Sequence, residues 1–444
     1  MNIIIAGAGD VGTHLAKLLA YEKQDIRVID EDAEKLQVLD ANYNLMTLEG
    51  SPTSFQTMRE ARMHSCDLFI AVTPSENDNV VACAMARKIG AKATVARINT
   101  FDYMADENRV LLEKMGVDNV IYPEYLAAQE IIIALRRSWV RHWFELHDGA
   151  IIVVGVKLHQ GAPIAGMRLR DFASVNTGFH VSAIKRGHEI IIPGGNDELR
   201  EDDILYFTCT REDIDGLLDL TGKKKHHIRR VMIMGGGKIA IRLASMASNE
   251  FKFKIIESDA KRCQMLSEKC PDCEIVHGDA RDIDLLVEEG IDECDAFVAL
   301  SGSSEANILT CLTAKELGVP KTVAEVENNQ FISQAEGLNI GTIINKKLLA
   351  SSSIFQLLLD ADSSTPKCLA LTDAEVAEMV VKPGSRLCGT PVKDLRLSRD
   401  LTLAGFVRDG KGMLVRGDTI LQPGDSVVVF SLLGSLNKIE RLFK

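Results

Sequence analysis

Residues 2–12 read Asn2-Ile3-Ile4-Ile5-Ala6-Gly7-Ala8-Gly9-Asp10-Val11-Gly12, a short apolar run that opens into three glycines spaced G-x-G-x-x-G. The run has the length of a strand, and helical periodicity begins at Asp10, so the glycines form a strand-to-helix turn. In that context each glycine has its own use. Gly7 allows the tight turn, Gly9 lets backbone approach a pyrophosphate with no Cβ in the way, and Gly12 lets helix and strand pack closely. The amides freed at the turn and the positive end of the helix dipole then face an anion. Residues 230–240 repeat the pattern as Arg230-Val231-Met232-Ile233-Met234-Gly235-Gly236-Gly237-Lys238-Ile239-Ala240, so that Gly235 stands 228 positions after Gly7.

The same offset relates Gly50 to Gly278, Thr73 to Ser301, Asn79 to Asn307, Cys83 to Cys311 and Gly90 to Gly318. Matched landmarks at one spacing identify an internal duplication. In the first copy the pattern predicts strands at 2–6, 26–29, 45–48, 67–72, 93–97 and 118–121, with helices at 10–21, 32–39, 77–89 and 123–137. The second copy gives strands at 229–234, 253–257, 274–277, 295–300 and 321–325. Strands alternating with helices pair in parallel through right-handed crossovers. After each copy the pattern changes to strand-like runs (150–156, 188–192 and 204–208 in the first) between glycine, proline and charged turns. There Gly166-Met167-Arg168-Leu169-Arg170-Asp171 resembles Gly389-Thr390-Pro391-Val392-Lys393-Asp394, and Glu201-Asp202-Asp203 matches Pro423-Gly424-Asp425. The expected fold is α/β: two Rossmann-like doubly wound parallel sheets, each followed by a small β-rich α+β domain. The expected domains are 1–140, 141–222, 228–361 and 368–444, with polar linkers at 222–227 and 362–366.

Composition excludes several classes. Lys plus Arg total 51 against 63 for Asp plus Glu, a formal charge of −12, the wrong sign for wrapping nucleic-acid phosphates. No stretch approaches the roughly 20 apolar residues of a membrane span. The N-terminus has no basic n-region, and ten cysteines are scattered along the chain. Both features predict a soluble intracellular protein with reduced thiols.

The site residues follow from the strand ends. Asp30 closes Arg27-Val28-Ile29-Asp30, where a carboxylate accepts ribose hydroxyls and repels a 2′-phosphate, favouring NAD over NADP. Glu257 ends Lys254-Ile255-Ile256-Glu257 in the second copy. Ser51 and Asp279, Thr73-Pro74 and Ser301-Gly302, and Arg97 and Glu325 fall in matching pairs at the carboxyl edge, where ligands of such sheets bind. A guanidinium grips phosphate oxygens and a carboxylate repels them, so the first site should accept the more anionic ligand. An NAD-dependent oxidoreductase is the alternative, but it needs an acid/base at the nicotinamide. His64, His142, His147, His159, His180 and His188 fall mostly in turns or the β-rich parts, so no catalytic residue is assigned. Cys270-Pro271-Asp272-Cys273 has no second C-x-x-C and reads as free thiols rather than metal ligands. Gly235-Gly236-Gly237-Lys238 lacks the Ser/Thr of a P-loop. Trp139 and Trp143, at i and i+4, read as a packing face where a helix ends.

The tandem order, both glycine turns, Asp30, Glu257 and the run Gly278-Asp279-Ala280 resemble the peripheral subunits of Trk-type potassium uptake systems, in the family of regulators of potassium conductance. The resemblance spans essentially all 444 residues. It implies a regulator, not an enzyme: cytoplasmic, peripheral on the inner face of the cell membrane, and assembled into a ring, as a homotetramer. It also implies a membrane-embedded potassium-translocating partner, gated in response to NAD(H) or ATP/ADP. By the same resemblance Gly7, Ala8, Gly9, Asp10, Val11, Asp30, Ser51, Thr73, Pro74 and Arg97 line a first site, the candidate for ATP or ADP as well as NAD(H). Gly235, Gly236, Gly237, Lys238, Ile239, Glu257, Asp279 and Ser301 line a second. The helices at 124–137 and 347–359 are expected to join neighbours. Their runs Ile131-Ile132-Ile133 and Phe355 with Leu357-Leu358-Leu359 are more apolar than one buried stripe requires.

Overall fold

Ile3, Ile4 and Ile5 are fully buried, as residues of a strand covered on both faces must be. The structure, a computed structural model, describes residues 1–21, 24–187, 189–338, 340–361, 367–370, 374–432 and 442–443. It divides into two compact units, Met1–Leu126 with Lys346–Thr365, and Ala127–Asn345 with Pro366–Lys444. In the first unit β1 (Asn2–Ala6) lies inside a six-stranded sheet with β2 (Asp25–Asp30), β3 (Met46–Glu49), β4 (Leu68–Ala71), β5 (Ala93–Arg97) and β6 (Asn119–Ile121). The order is β3-β2-β1-β4-β5-β6, and every pairing is parallel. The chain reverses direction of travel between β1 and β4, and the loops leaving those strands diverge to open a crevice. Helices α1 (Asp10–Tyr21), α2 (Ala33–Asn42), α3 (Phe55–Glu60), α4 (Glu76–Ile89) and α5 (Asp106–Met115) follow the strands, and after β6 the chain enters α6 (Pro123–Arg136), which belongs to the second unit from Ala127 on. The side chains of Asp32, Ser54 and Ser75 accept first-turn amides of α2, α3 and α4, fixing where each helix starts beyond the strand edge.

The second unit contains three sheets. The first is antiparallel, ordered β10-β9-β11-β8-β7, from β7 (His142–Leu146), β8 (Ile151–Lys157), β9 (Phe179–Arg186), β10 (Glu189–Ile191) and β11 (Ile204–Cys209). Helices α7 (Leu169–Val175) and α8 (Gly216–Thr221) accompany it. The second repeats the parallel topology as β14-β13-β12-β15-β16-β17, with β12 (Arg230–Met234), β13 (Lys252–Glu257), β14 (Glu274–His277), β15 (Ala296–Ala299), β16 (Lys321–Glu325) and β17 (Thr342–Ile344). Its helices are α9 (Lys238–Ala247), α10 (Ala260–Lys269), α11 (Ile283–Glu288), α12 (Ser304–Glu316) and α13 (Asn329–Gly337); the chain then enters α14 (Lys346–Ala361), which belongs to the first unit. The last sheet, β18-β19-β22-β20-β21, is built from β18 (Lys367–Ala370), β19 (Ala374–Val380), β20 (Leu401–Arg408), β21 (Lys411–Leu414) and β22 (Ser426–Leu432).

The two antiparallel sheets complete each other. Ile151, Val153 and Tyr206 of one share a core with Val376, Val428 and Phe430 of the other. A Cβ on Gly412 would stand 2.1 Å from the Ala150 carbonyl oxygen, so the approach there requires glycine. Modules of this size bury too little surface alone, and the facing sheet supplies the missing layer. Each module also holds one bidentate ion pair, Arg186–Asp203 (2.9 and 2.7 Å) and Arg408–Asp425 (2.7 and 2.6 Å). These are the aspartates of the two matched turns.

Several expectations change. The sequence pattern missed α3, α5, β7, β9 and β17. The exposed Val110 and Leu111 break the apolar stripe of α5, and β17 is only three residues long. Helix α6 stops at Arg136, and Trp143 lies on β7, so Trp139 and Trp143 are not one helical face. Both rings are buried in the core of the first antiparallel sheet, and the Arg137 guanidinium stacks 3.7 Å from the Trp143 ring centroid. Ile131, Ile132 and Phe355 are buried within the chain itself, so their apolar character needs no second subunit. The side chains of Leu358 and Leu359, the linker 362–366 and His188 lie outside the described residues. Among the described residues no helix is long and apolar enough to cross a membrane.

Lys321 on β16 is buried, with its Nζ donating to the Val140 carbonyl (3.2 Å) and to Thr342 Oγ1 (2.9 Å). Burial, then the charges of Arg141, Lys315 and Lys223, push its ammonium down from 10.5 to about 7. Between those values the unfolded chain holds a proton that the folded chain lacks, so this group makes stability rise with pH across that window. Lys321→Met should remove the dependence. Denaturant unfolding at about pH 7 and about pH 9.5 should then show the stability difference moving toward the wild type, by at most ~1.4 kcal/mol per pH unit. A difference that stays constant contradicts a neutral Lys321.

Candidate functional site

The first glycine turn is built by two close approaches and one open position. Gly7 has φ +110°, and a Cβ there would stand 3.0 Å from the Thr73 amide nitrogen at the end of β4. A Cβ on Gly12 would fall 1.9 Å from the Gly7 carbonyl oxygen. Around Gly9 nothing lies within 4 Å of the Cβ position, which is the free approach that a phosphate ligand needs.

Asp30 ties this turn down. Its Oδ2 accepts the Ala8 amide at 2.5 Å and its Oδ1 the Asp32 amide at 2.9 Å. Glu257 does the same in the second copy, taking the Gly236 amide at 2.8 Å and the Asp259 amide at 2.9 Å. A Cβ on Gly236 would meet Leu266 Cδ1 at 2.2 Å and Glu257 Oε2 at 3.3 Å. Glycine therefore stands where the first copy has Ala8, beside a carboxylate one methylene longer. Both acids end their strands as the sequence pattern has them, and the amides they hold are a role that the ribose assignment does not include.

A second anchor went unassigned. Asn79 is fully buried and its side chain joins two strand ends. Its Oδ1 accepts the Thr73 amide (3.0 Å) and hydroxyl (2.7 Å), and its Nδ2 donates to the Thr73 and Arg97 carbonyls. Asn307 repeats all four bonds with Ser301 and Glu325. The signal was present, since Asn79 and Asn307 are one of the matched pairs at the 228 offset.

A cavity of about 380 Å³ occupies the crevice, lined by Gly7, Gly9, Asp10, Val11, Asp30, Ser51, Thr73, Pro74 and Arg97. The structure thus brings together the residues expected at the first site, with Ala8 contributing the amide that Asp30 holds. The size and mixed lining suit a small-molecule ligand. Arg97 ends β5, and its Nε is buried with no hydrogen-bond partner among the described residues, a donor that an anion would satisfy. Glu31, Lys35, Ser75, Asp78 and Lys347 also line the cavity and were not expected. Lys35 is engaged by Asp32 at 3.0 Å.

At the second turn Ile239 and Glu257 are buried, and Glu325, buried at 4% exposure, takes the place of Arg97. Asp279 pairs with Arg281 at 2.6 Å, and that hydrogen bond holds its carboxyl below the usual range. Ser301 is committed to Asn307 at 2.7 Å. The remaining constellations stay structural. Burial lowers His142 to about 3 and His180 to about 4, and burial with Lys17 lowers His14 to about 4. Cys270 and Cys273 are free thiols. A hydrogen bond from Cys273, with the charges of Arg242 and Lys269, brings Cys270 to about 7. Among the described residues no group of three His, Cys, Asp or Glu could hold a metal.

The chain matches the TrkA-N domain over residues 3–123 and 231–346, and the TrkA-C domain over 153–222 and 376–444. It is 30% identical to the Trk system potassium uptake protein TrkA of Halomonas elongata over 453 aligned positions, covering 100% of this chain and 99% of that protein. It is also 30% identical to the protein of the same name from Haemophilus influenzae, covering 100% and 99%. Among solved structures, the GsuK channel bound to NAD superposes with a TM-score of 0.61 at 18% identity, covering 99% of this chain and 78% of that one. That likeness shows a shared fold.

The glycine geometry separates folding from binding. Gly12→Ala should lower stability by roughly 2 kcal/mol or more, because its Cβ meets backbone. Gly9→Ala should leave Tm nearly unchanged yet abolish any nucleotide-induced thermal shift. Thermal denaturation of both variants checks this, and a large Tm loss in Gly9→Ala contradicts the open position.

Proposed function

We propose a function from one premise: this chain belongs to the TrkA family, the potassium uptake proteins built of paired TrkA-N and TrkA-C domains. It acts as the nucleotide-binding regulatory subunit of a Trk-type system, peripheral on the inner face of the membrane. Four domains in sequence order, 1–140, 141–222, 228–361 and 368–444, make up the subunit, with α14 of the third packed in the first unit, and copies assemble as a homotetrameric ring on the potassium-translocating subunit. Its first site takes NAD(H), as the GsuK channel does NAD, and also ATP or ADP. Its second site, formed around Gly235–Ile239, Glu257, Asp279 and Ser301, takes the less anionic ligand.

The observation that carries this reading is the crevice itself. An open glycine position, a fixed turn of amides and a guanidinium with a spare buried donor converge on one cavity. Its residues fit a phosphate-bearing nucleotide: Gly9 leaves room for the pyrophosphate, Asp30 keeps acceptor capacity for ribose hydroxyls, and Arg97 reaches anionic oxygens. Nicotinamide oxidoreduction is the weaker reading, since the relatives matched over the full chain are named as potassium uptake proteins. Regulation follows when a ligand prefers one of two ring conformations, because that preference biases whatever the ring holds. A coupling of ~1–3 kcal/mol changes the gating equilibrium about 5- to 150-fold.

Purified protein should show thermal shifts with NADH and with ATP, and should leave NADH unconsumed over hours. Steady NADH turnover with a small substrate would instead establish the oxidoreductase, and no shift with any nucleotide removes the sensing function. Arg97→Ala should weaken ATP by about 10-fold or more and NADH by less, which titration calorimetry measures. The ring and its partner are tested by co-purification with the membrane subunit and by nucleotide-dependent potassium flux in vesicles that contain both.

A further inference from the structure

One cation in the first-site cavity comes from the far end of the sequence. Lys347, on the first turn of α14, lines the cavity beside Arg97 and the glycine turn. Its Nζ lies 2.6 Å from Oδ2 of Asp10, the first residue of α1. Helix α14 packs along α1, with Ile354 and Phe355 buried. Ser351 Oγ bonds the Val11 carbonyl (3.2 Å) and the Lys347 carbonyl (2.9 Å). The first turn of α14 is thereby pinned to the turn of α1 that faces the ligand.

We propose that Lys347 is a phosphate ligand of the first site, and that its pair with Asp10 is a latch opened by a nucleotide with a terminal phosphate. This rests on the nucleotide-binding reading above. Asp10 stands at the mouth of an anion cradle, where its carboxylate repels phosphate, and Lys347 neutralises it. An entering terminal phosphate carries close to two negative charges and several acceptor oxygens, so it outcompetes one carboxylate for the ammonium. A dinucleotide offers only bridging phosphates with one charge each and draws on Lys347 less. The fold does not demand a lysine here. Aligning β6 with β17 places Glu124 at the register of Lys347 in the first repeat.

The latch gives the site an output. Helix α14 follows β17 in the chain after one intervening residue, so it is the last helix of the second repeat by sequence, yet it packs within the first unit. Ligand that pulls Lys347 from Asp10 changes the contact between α14 and α1, and the second repeat is attached to that helix.

Titration calorimetry of the full chain with ATP and with NADH tests this on Lys347→Gln, Lys347→Arg and Asp10→Asn. Lys347→Gln should weaken ATP about 10- to 100-fold while changing NADH less than about 3-fold. Lys347→Arg should keep most of the ATP affinity. Asp10→Asn breaks the same pair but should tighten ATP, which a merely structural pair would not do. Should Lys347→Gln fail to fold, Asp10→Asn alone decides. Unchanged ATP affinity in Lys347→Gln, or equal weakening in Lys347→Gln and Asp10→Asn, overturns the proposal. A wild type that binds NADH but not ATP overturns it too, while leaving the nucleotide reading intact. A wild type that binds neither removes both.

Discussion

A carboxylate at the end of the second strand, clasping the amide of the glycine turn that ends the neighbouring strand, is the interaction on which both halves of this chain depend. The turn must present backbone donors to an anion, and unsatisfied donors in a crevice are costly. Asp30 and Glu257 take one donor each and fix the turn around it. Each carboxylate keeps acceptor capacity on two oxygens beyond the amides it holds, so on the proposed reading one residue both organises the cradle and receives ribose hydroxyls. The swap of Ala8 for Gly236 goes with the packing of Leu266, whose Cδ1 takes the space of a methyl group there, while Glu257 Oε2 lies 3.3 Å away.

Electrostatics then separates two cradles with the same backbone plan. Around the first, Arg97 and Lys347 stand in a cavity with Asp10, Asp30, Glu31 and Asp78. At the end of the matching strand of the second, the arginine is replaced by the buried Glu325. The asparagine clamp, with all four hydrogen bonds, is identical in both copies. Duplication has kept the parts that hold the sheet edges together and varied the charge of the side chain that ends the fifth strand. On the proposed reading, two cradles of unlike charge on one subunit would let two ligands be weighed against each other, which one site cannot do.

Much of this was legible in the sequence because its signals are local. Glycines at fixed spacing, an acid closing the next strand and a constant offset of 228 define the sheets and place Asp30, Thr73 and Arg97 on one edge. What was hidden is non-local or short. Strand β7 is five residues long and carries His142 and Glu145, and β9 is buried from Val181 to Lys185 with Ser182 and Lys185 among its residues, so neither shows the alternation that marks a half-exposed strand. The ion pairs of Asp203 and Asp425 join turns to strands seventeen residues away, and the matched turns alone gave no hint of their partners. Lys347 and Ser351 go furthest, lying 337 positions from Asp10 and 340 from Val11.

That distance matters for how a duplicated protein can act as one. Two copies of a nucleotide-binding fold joined by a tether would report ligand independently. Here the chain hands the last helix of its second half to its first half, where burial of Ile354 and Phe355 holds it far more firmly than a surface ion pair could. The apolar contact supplies the attachment and the polar pair at its tip supplies the sensitivity. A switch needs that division, because a contact strong enough to hold the helix would be too strong for a ligand to displace, and one weak enough to displace could not transmit force. Placing the displaceable pair at the ligand end of an otherwise permanent contact meets both requirements with one helix.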